Sequence, residues 1–344
     1  MQRKVLVIKL GSAVITNSSG NINKPVIKKI VADISLLSKS YKIVLVSSGA
    51  VSSGKKYLKD YKGTLQQRKV AAAIGNPILI QLYRNYFQKH DLTVAQALCE
   101  RNHFSNRKQF LQLKETFGTF WDNGIIPVVN ENDVISNLEL KFSDNDELAT
   151  LIAIGFDAEM LLLCTSVGGL LDRSKNIVPQ VSIITKETLA LVNNEKSDTG
   201  LGGMLSKLTF TRLATSLGIK VIMCGLNTKK PFSDALKNKN GTHFMPQKSA
   251  LKNRQKWLAS GSITLGNIYV DKGAEKALAN RKSLLTVGIT QVDGSFAVGE
   301  VIQLRNEEHA IIGVAKTKLS ASELHKKLKE KSVMAAHAND IVLL

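Results

Sequence analysis

Lys9 and Lys207 are the residues whose chemistry is hardest to assign to packing alone. Lys9 closes an apolar run, Val5-Leu6-Val7-Ile8, and is followed by Leu10-Gly11-Ser12. Such a run reads as a strand buried on both faces, as in parallel sheets. A lysine at its end is costly to bury without an anionic partner. Gly11 and Ser12 offer backbone N–H groups with little side-chain bulk, which suits a phosphate. Lys207 ends a second stretch, Gly200-Leu201-Gly202-Gly203-Met204-Leu205-Ser206-Lys207, that runs into an amphipathic helix. Glycines ahead of a helix let N–H groups converge on an anion, and the helix dipole assists. Either stretch alone has a plain explanation, a capped strand end or a flexible linker. Two lysines at two phosphate-suited loops fit the transfer of a phosphoryl group, whose equatorial charge must be neutralised in flight.

Other polar clusters also follow apolar runs. Lys42 to Val46 leads into Ser47-Ser48-Gly49-Ala50, Ile125 to Val129 into Asn130-Glu131-Asn132-Asp133, and Met160 to Cys164 into Thr165-Ser166. Open α/β sheets bind ligands at the carboxyl ends of their strands. Ser, Asn, Asp and Gly also serve ordinary turns, but four coincident clusters point to a site on one edge of the sheet. No Gly-x4-Gly-Lys-Ser/Thr loop occurs, no Gly-x-Gly-x-x-Gly follows the first strand, and no Gly-x-Ser-x-Gly elbow is present. The histidines form no ligand-spaced cluster, so no protein-held metal is expected.

The elements that must position these residues alternate between strand and helix. Asn23 reads as the N-cap of a helix with Pro25 in its first turn, and Val26, Ile27, Ile30, Val31, Ile34 and Leu37 form its buried stripe. An alanine-rich helix spans about 66–74, and Gly75-Asn76-Pro77 is expected to break or bend it before 78–88. Thr93 to Leu98 is a third strand and Arg107 to Trp121 a helix closed by Asp122-Asn123-Gly124. Ser143-Asp144-Asn145-Asp146 opens a helix to about Ile154. A helix over 202–217 and a strand over 220–223 follow. This βα alternation predicts an α/β fold around a mainly parallel sheet. Beyond Gly225 the chain changes character: 254–261 reads as a linker and first strand of a second domain, and short strands follow over 266–270, 283–287, 301–304 and 310–315. A short helix is expected over 274–280, and Val292-Asp293-Gly294-Ser295-Phe296 gives a hairpin signal.

A chain of 344 residues has room for about two domains. It has no apolar run of membrane-spanning length, and Met1-Gln2-Arg3-Lys4 leads directly into a strand, so no signal peptide and a cytoplasmic location are expected. Cys99, Cys164 and Cys224 are far apart in apolar contexts and read as buried, reduced thiols. The formal net charge is +19. About three quarters of that excess lies in the first 250 residues, spread over helix surfaces such as Lys24, Lys28, Lys29 and Lys39, which reads as a solvated basic face.

The motifs resemble those of the glutamate 5-kinases, in the amino acid kinase superfamily. They are V-x-K-L-G-S ending at Ser12, S-S-G-A at Ser47 to Ala50, N-E-N-D at Asn130 to Asp133, D-N-D at Asp144 to Asp146, and G-G-M-x-S-K at Gly202 to Lys207. The resemblance runs the length of the chain. It implies an amino acid kinase fold, a three-layer sandwich with a mainly parallel central sheet, over residues 1–250, and a small mixed-β barrel resembling the PUA domain over 257–344. It implies ATP-dependent phosphorylation of the γ-carboxylate of L-glutamate, the first step of proline synthesis, with Mg²⁺. Lys9 and Lys207 would steady the transferred group and Asp146 would orient them. Ser48, Gly49, Ala50, Asn130, Asp133 and Asn145 would bind glutamate. Lys9, Gly11, Ser12, Thr165, Ser166, Leu201, Gly202, Gly203, Met204, Leu205, Ser206 and Lys207 would bind the nucleotide. The resemblance further implies a homo-oligomer, dimer or tetramer, inhibition by proline and hand-over to the reductase of the next step. The alternative of another class is RNA binding through the second domain beside a weakened kinase; the few aromatics there speak against it. The sequence departs from the family at Ser166, Gly169 and Leu201, where Asp, a nearby Lys and Thr are usual, all on the nucleotide side.

Overall fold

The computed structural model describes residues 3–17, 20–135, 144–192, 203–247, 266–328, 330 and 333–343. By their contacts the described residues divide into two compact units, Met1–Glu100 with Gln112–Ser249, and Arg101–Leu111 with Ala250–Leu344. The expected junction between the domains, from residue 250 to 257, lies outside the described residues, as do Leu201 and Gly202.

The first unit is built on a sheet of eight strands. In chain order the main elements up to residue 244 are β1 (Lys4–Leu10), α1 (Ser12–Ile15), α2 (Lys24–Leu37), β2 (Tyr41–Ser47), α3 (Ala50–Gly54), α4 (Leu65–Phe87), β3 (Thr93–Cys99), α5 (Asn102–Ser105), α6 (Arg107–Asp122), β4 (Ile125–Glu131), α7 (Asn145–Gly155), β5 (Met160–Cys164), β6 (Gln180–Val181), α8 (Lys186–Ala190), α9 (Met204–Ser216), β7 (Lys220–Cys224), α10 (Pro231–Leu236) and β8 (Thr242–Phe244); of these, α5 and the start of α6 fall in the second unit. The strand order is β3-β4-β2-β1-β5-β7-β8-β6. The six strands from β3 to β7 pair in parallel, while β8 runs antiparallel to β7. β8 and β6 were beyond the reach of periodicity, because strands of three and two residues carry no pattern.

Strand alternation decides which layer each side chain of β1 meets. Leu6, Ile8 and Leu10 join Ile27, Ile30, Val31 and Ile34 of α2 and Leu79, Tyr83 and Phe87 of α4 in one core cluster. Val7 and Lys9 therefore face the opposite layer, where α7 packs against β1, β5, β2 and β4. Every residue of α7 after Asn145 is buried, as expected of a helix that is apolar nearly all round. Helices on both faces of the sheet make the three-layer sandwich. Asn23 accepts from Val26 N at 3.3 Å and caps α2, with Pro25 in the first turn. Lys29 is not a free surface lysine: it donates to the Leu226 carbonyl.

One expectation is corrected here. Gly75-Asn76-Pro77 does not interrupt the helix, and α4 runs unbroken for 23 residues through Pro77. Pro77 frees the carbonyl four residues back. Ala73 and Pro77 both lie on the exposed side, so that carbonyl is not forced into a dry interior. Gly75 has a packing role: a Cβ there would come within 1.7 Å of Ala50 O, and one on Gly54 within 1.9 Å of Ala71 O. The two glycines let α3 and α4 touch backbone to backbone.

The second unit carries a five-stranded mixed sheet and a two-stranded one. The chain from 289 to 294 is a strand that the sequence reading placed in a hairpin. It pairs antiparallel with Gly266–Val270, whose other edge pairs in parallel with Val301–Arg305. The strand after Gly294 therefore does not fold back on it, and the hairpin expectation fails. The helix expected over 274–280 starts earlier, at Lys272, because Asp271 caps it by accepting from Ala274 N at 2.7 Å.

Candidate active site

The expected polar clusters meet at one edge because strand register aligns them. Leu10 pairs with Ser47 on one side and Cys164 on the other, Cys164 with Cys224, and Leu98 with Asn130 across β3 and β4. The chain leaves each strand within a residue or two of the same line. Ser48 N donates to Leu10 O at 3.0 Å and Thr165 N to Cys224 O at 2.8 Å, which ties the exits together.

At the centre of this edge stands Asp146, in the first turn of α7 and fully buried. Its Oδ1 lies 2.5 Å from Lys9 Nζ, and its Oδ2 lies 2.5 Å from Lys207 Nζ on α9. Burial pushes the Asp146 carboxyl up, but the two lysines more than reverse this and hold it below the ordinary aspartate value. Burial likewise pulls the Lys9 ammonium down; Asp146 offsets part of that shift, and nearby Lys207 adds to it. The result is one carboxylate between two ammonium groups, a net positive centre in a dry setting.

Asp144 fixes the geometry from below. It caps α7 by accepting from Asp146 N at 2.8 Å and Glu147 N at 3.1 Å through Oδ1. Its Oδ2 accepts from Ser206 Oγ at 2.7 Å. One aspartate thus joins the start of α7 to the first turn of α9. Gly203 is the N-cap of α9 and supplies no side-chain cap, so the N–H groups of the first turn, at Met204, Leu205 and Ser206, remain to receive an anion. Gly11 plays the same part for α1, and a Cβ on it would sit 3.8 Å from Lys9 Nζ. Ser12 opens that short helix.

Asn145, the residue before Asp146, belongs to a relay of polar side chains. Asn145 Nδ2 donates to Ser48 Oγ at 2.9 Å and to Asn130 Oδ1 at 3.0 Å. Asn130 Nδ2 donates to Asn76 Oδ1 at 3.0 Å. Gly49 holds φ at +108°, which a residue with a Cβ rarely adopts, and it turns the chain from β2 into α3, which starts at Ala50. Asp133 sits half-buried in the turn after β4. Thr165 Oγ1 accepts from Gly168 N at 3.0 Å and shapes the loop after β5, with Ser166 exposed beside it. A cleft of about 310 Å³ opens next to this loop, lined by Val167, Leu170, Leu171, Arg173, Lys175 and Met204 among others. Of the departures noted above, Gly169 has a packing reason. A Cβ there would lie 2.7 Å from Thr242 Oγ1 and 2.9 Å from Ile177 Cγ2, so no longer side chain fits without a shift.

Residues 4–225 match the model of the amino acid kinase family, and residues 266–338 match the PUA domain. The glutamate 5-kinase of Thermotoga maritima is 36% identical over 325 residues, covering 93% of this chain and 90% of that protein. Glutamate 5-kinase 1 of Bacillus subtilis is 35% identical over 337 residues, 94% of this chain and 92% of that one. The chain belongs to the glutamate 5-kinase family. The glutamate 5-kinase of Aquifex aeolicus is 38% identical, over 93% of this chain and 91% of its own length. Among solved structures, a carbamate kinase from Giardia lamblia bound to AMP-PNP superposes with a TM-score of 0.53 at 18% identity, over 71% of this chain and 99% of that one. That likeness speaks for the fold of the first unit.

The sequence reading gave no role to two residues of this network. Asn76 stood in an apparent turn, and Asp144 was quoted only within the motif that opens a helix; Ser206 was expected at the nucleotide, but its bond to Asp144 was not. Nothing in their spacing signalled the bonds to Asn130 and between α7 and α9, which form across 54 and 62 residues of chain.

Proposed function

We propose that the chain transfers the γ-phosphoryl group of ATP to the γ-carboxylate of L-glutamate, forming L-glutamyl 5-phosphate and ADP. The observation that carries this reading is Asp146 holding Lys9 and Lys207 at the carboxyl edge of the sheet, in a chain of this family.

A glutamate side chain is ionised at neutral pH, with a pKa of about 4.3, so its oxygen needs no general base. The obstacle is repulsion between that carboxylate and the polyphosphate. Lys9 and Lys207 flank the path and neutralise the equatorial oxygens as the carboxylate oxygen bonds to phosphorus and the bond to the β–γ bridging oxygen breaks. Asp146 keeps the ammonium groups aimed without cancelling both charges. The uncapped first turn of α9 and the Gly11-Ser12 turn receive phosphate oxygens, and the cleft beside Val167 and Met204 takes the nucleoside. Ser48 and Asn145 hold the amino-acid end of glutamate, and the Asp133 carboxylate pairs with its ammonium. The family resemblance implies Mg²⁺, which would come with the nucleotide and offset the charge of its phosphates; Asp146 is already committed to two lysines.

We assign the chemistry to residues 1–250 and an accessory role to 257–344. Family membership also supports homo-oligomeric assembly and inhibition by proline. The test is purified chain with ATP, Mg²⁺ and glutamate, the acyl phosphate being trapped by hydroxylamine. Hydroxamate from glutamate is expected. Trapping with aspartate or N-acetylglutamate but not glutamate would overturn the substrate assignment.

A further inference from the structure

The hydrogen bonds that end on Ser48 begin on Asn76, a residue of α4 that none of the strand-end loops contains. We infer that Asn76 is a positioning residue for the amino-acid substrate: its amide oxygen sets the hydrogen-bond polarity of Asn130 and, through it, of Asn145. The inference rests on glutamate binding at Ser48 and Asn145, as proposed above.

A primary amide donates only from its nitrogen and accepts only at its oxygen. Asn130 Nδ2 donates to Asn76 Oδ1 at 3.0 Å, so Asn130 must turn its oxygen the other way, where it accepts from Asn145 Nδ2 at 3.0 Å. The second proton of that Asn145 amide goes to Ser48 Oγ at 2.9 Å. Both donors of Asn145 are then used, and its Oδ1 is what it can offer a ligand. Among the described residues none donates to that oxygen. Ser48, having accepted, keeps its own proton to give. The site therefore presents an acceptor to an ammonium group and a donor to a carboxylate, the pair that an α-amino acid carries. Were Asn76 to present N–H instead, each bond along the relay would reverse, and Asn145 would turn an N–H toward the substrate ammonium.

Two features hold Asn76 to this task. Asn76 and Asn130 are each only 5% exposed, so water does not readily substitute for either partner, and an orphaned amide there is costly. The neighbouring Gly75 packs α4 so tightly on α3, where a Cβ would lie 1.7 Å from Ala50 O, that the backbone carrying Asn76 is seated directly against the turn after Ser48.

The experiment is steady-state kinetics by hydroxylamine trapping on the full chain and two variants. Asn76→Leu removes the acceptor while roughly keeping volume. It should raise the glutamate KM about tenfold, with kcat changed less than about threefold and the ATP KM unchanged. Asn76→Asp still accepts at the same point and should bring the glutamate KM back to within about threefold of the parent. An unchanged glutamate KM in Asn76→Leu, an equal rise in both variants, or an ATP KM that rises in step would overturn the inference. If thermal melting shows Asn76→Leu unfolded, Asn76→Ala is read by the same criteria. Added to Asn130→Ala, it should cost nothing further, and full additivity would overturn the inference. The unaltered chain is assayed first: failure on glutamate would sink the functional reading itself, whereas turnover of glutamate with insensitive Asn76 variants sinks only this one.

Discussion

Lys9 Nζ lies 2.5 Å from Asp146 Oδ1, with both side chains almost fully buried. The contact joins the last turn-facing residue of β1 to the first turn of α7, and it explains how a lysine survives at the end of an apolar strand. Lys207 reaches the other oxygen of the same carboxylate. The three residues are interdependent: removing Asp146 leaves two ammonium groups without their carboxylate, and removing either lysine takes away the net positive charge of the centre.

Lys207→Ala should lower kcat by about 10² to 10³, while the glutamate KM moves by less than about threefold. On the proposed mechanism the lysine acts on charge that develops in transfer, whereas glutamate would be held by Ser48 and Asn145, which are bonded to each other. Trapped hydroxamate as a function of glutamate and ATP separates the two parameters. A pure KM effect would assign Lys207 to binding alone. Lys9→Arg should not rescue Lys9→Ala, because a planar guanidinium does not fit a pocket shaped for an ammonium at 2.5 Å.

Asp146→Asn tests the electrostatics through pH. The folded carboxyl sits below its ordinary value because the lysines outweigh burial. The proton thus binds more weakly in the folded chain, and the pairs contribute stability above the ordinary value of about 3.9. That contribution is lost as pH falls through the lower folded value. At pH 7 the variant should be less stable by about 3 kcal/mol, as for a broken buried pair. The gap between parent and variant should narrow only below about pH 4. Urea melts from pH 7 down to the lowest pH at which the chain stays folded measure it, and a gap that is constant throughout would contradict the assignment.

Asp133→Asn removes the carboxylate proposed to meet the substrate ammonium. It should raise the glutamate KM by about tenfold or more with the ATP KM unchanged. Turnover of an analogue lacking the ammonium should be much less affected by the substitution. Equal sensitivity of the two substrates would separate Asp133 from ammonium recognition.

The fold of the first unit was legible because a doubly buried strand leaves an unmistakable apolar run. Val5 to Ile8, Lys42 to Val46 and Met160 to Cys164 all became strands of the parallel sheet. The two lysines were legible because each was out of place beside glycine. What joins them was less so. Asp146 was assigned through the motif it sits in, and no local pattern says that one carboxylate bridges residues 9 and 207. Asn76 was opaque for a sharper reason: between Gly75 and Pro77 an asparagine reads as turn chemistry. The tertiary context reverses that reading, since Gly75 serves a helix contact and Pro77 faces water. The strand over 289–294 was misjudged because Asp293-Gly294 fits a hairpin locally, while the pairing partner was chosen by the sheet.

Gly75→Ala links packing to the site. The added Cβ would come within 1.7 Å of Ala50 O and 2.9 Å of Gly54 N, so backbone must separate from backbone. Neither contact is with a flexible side chain that can swing aside. Overpacking of this kind costs about 1–3 kcal/mol, which lowers Tm by roughly 2–10 °C in a domain of this size. The separation also moves α4 against α3, and hence Asn76 and the Gly49-Ala50 turn against each other. The glutamate KM should therefore rise while the ATP KM holds, since Lys9, Asp146 and Lys207 belong to β1, α7 and α9. Gly54→Ala, which meets Ala71 O at 1.9 Å across the same contact, should reproduce both effects. A loss of stability in either variant with no change in glutamate KM would uncouple the α3–α4 contact from substrate binding.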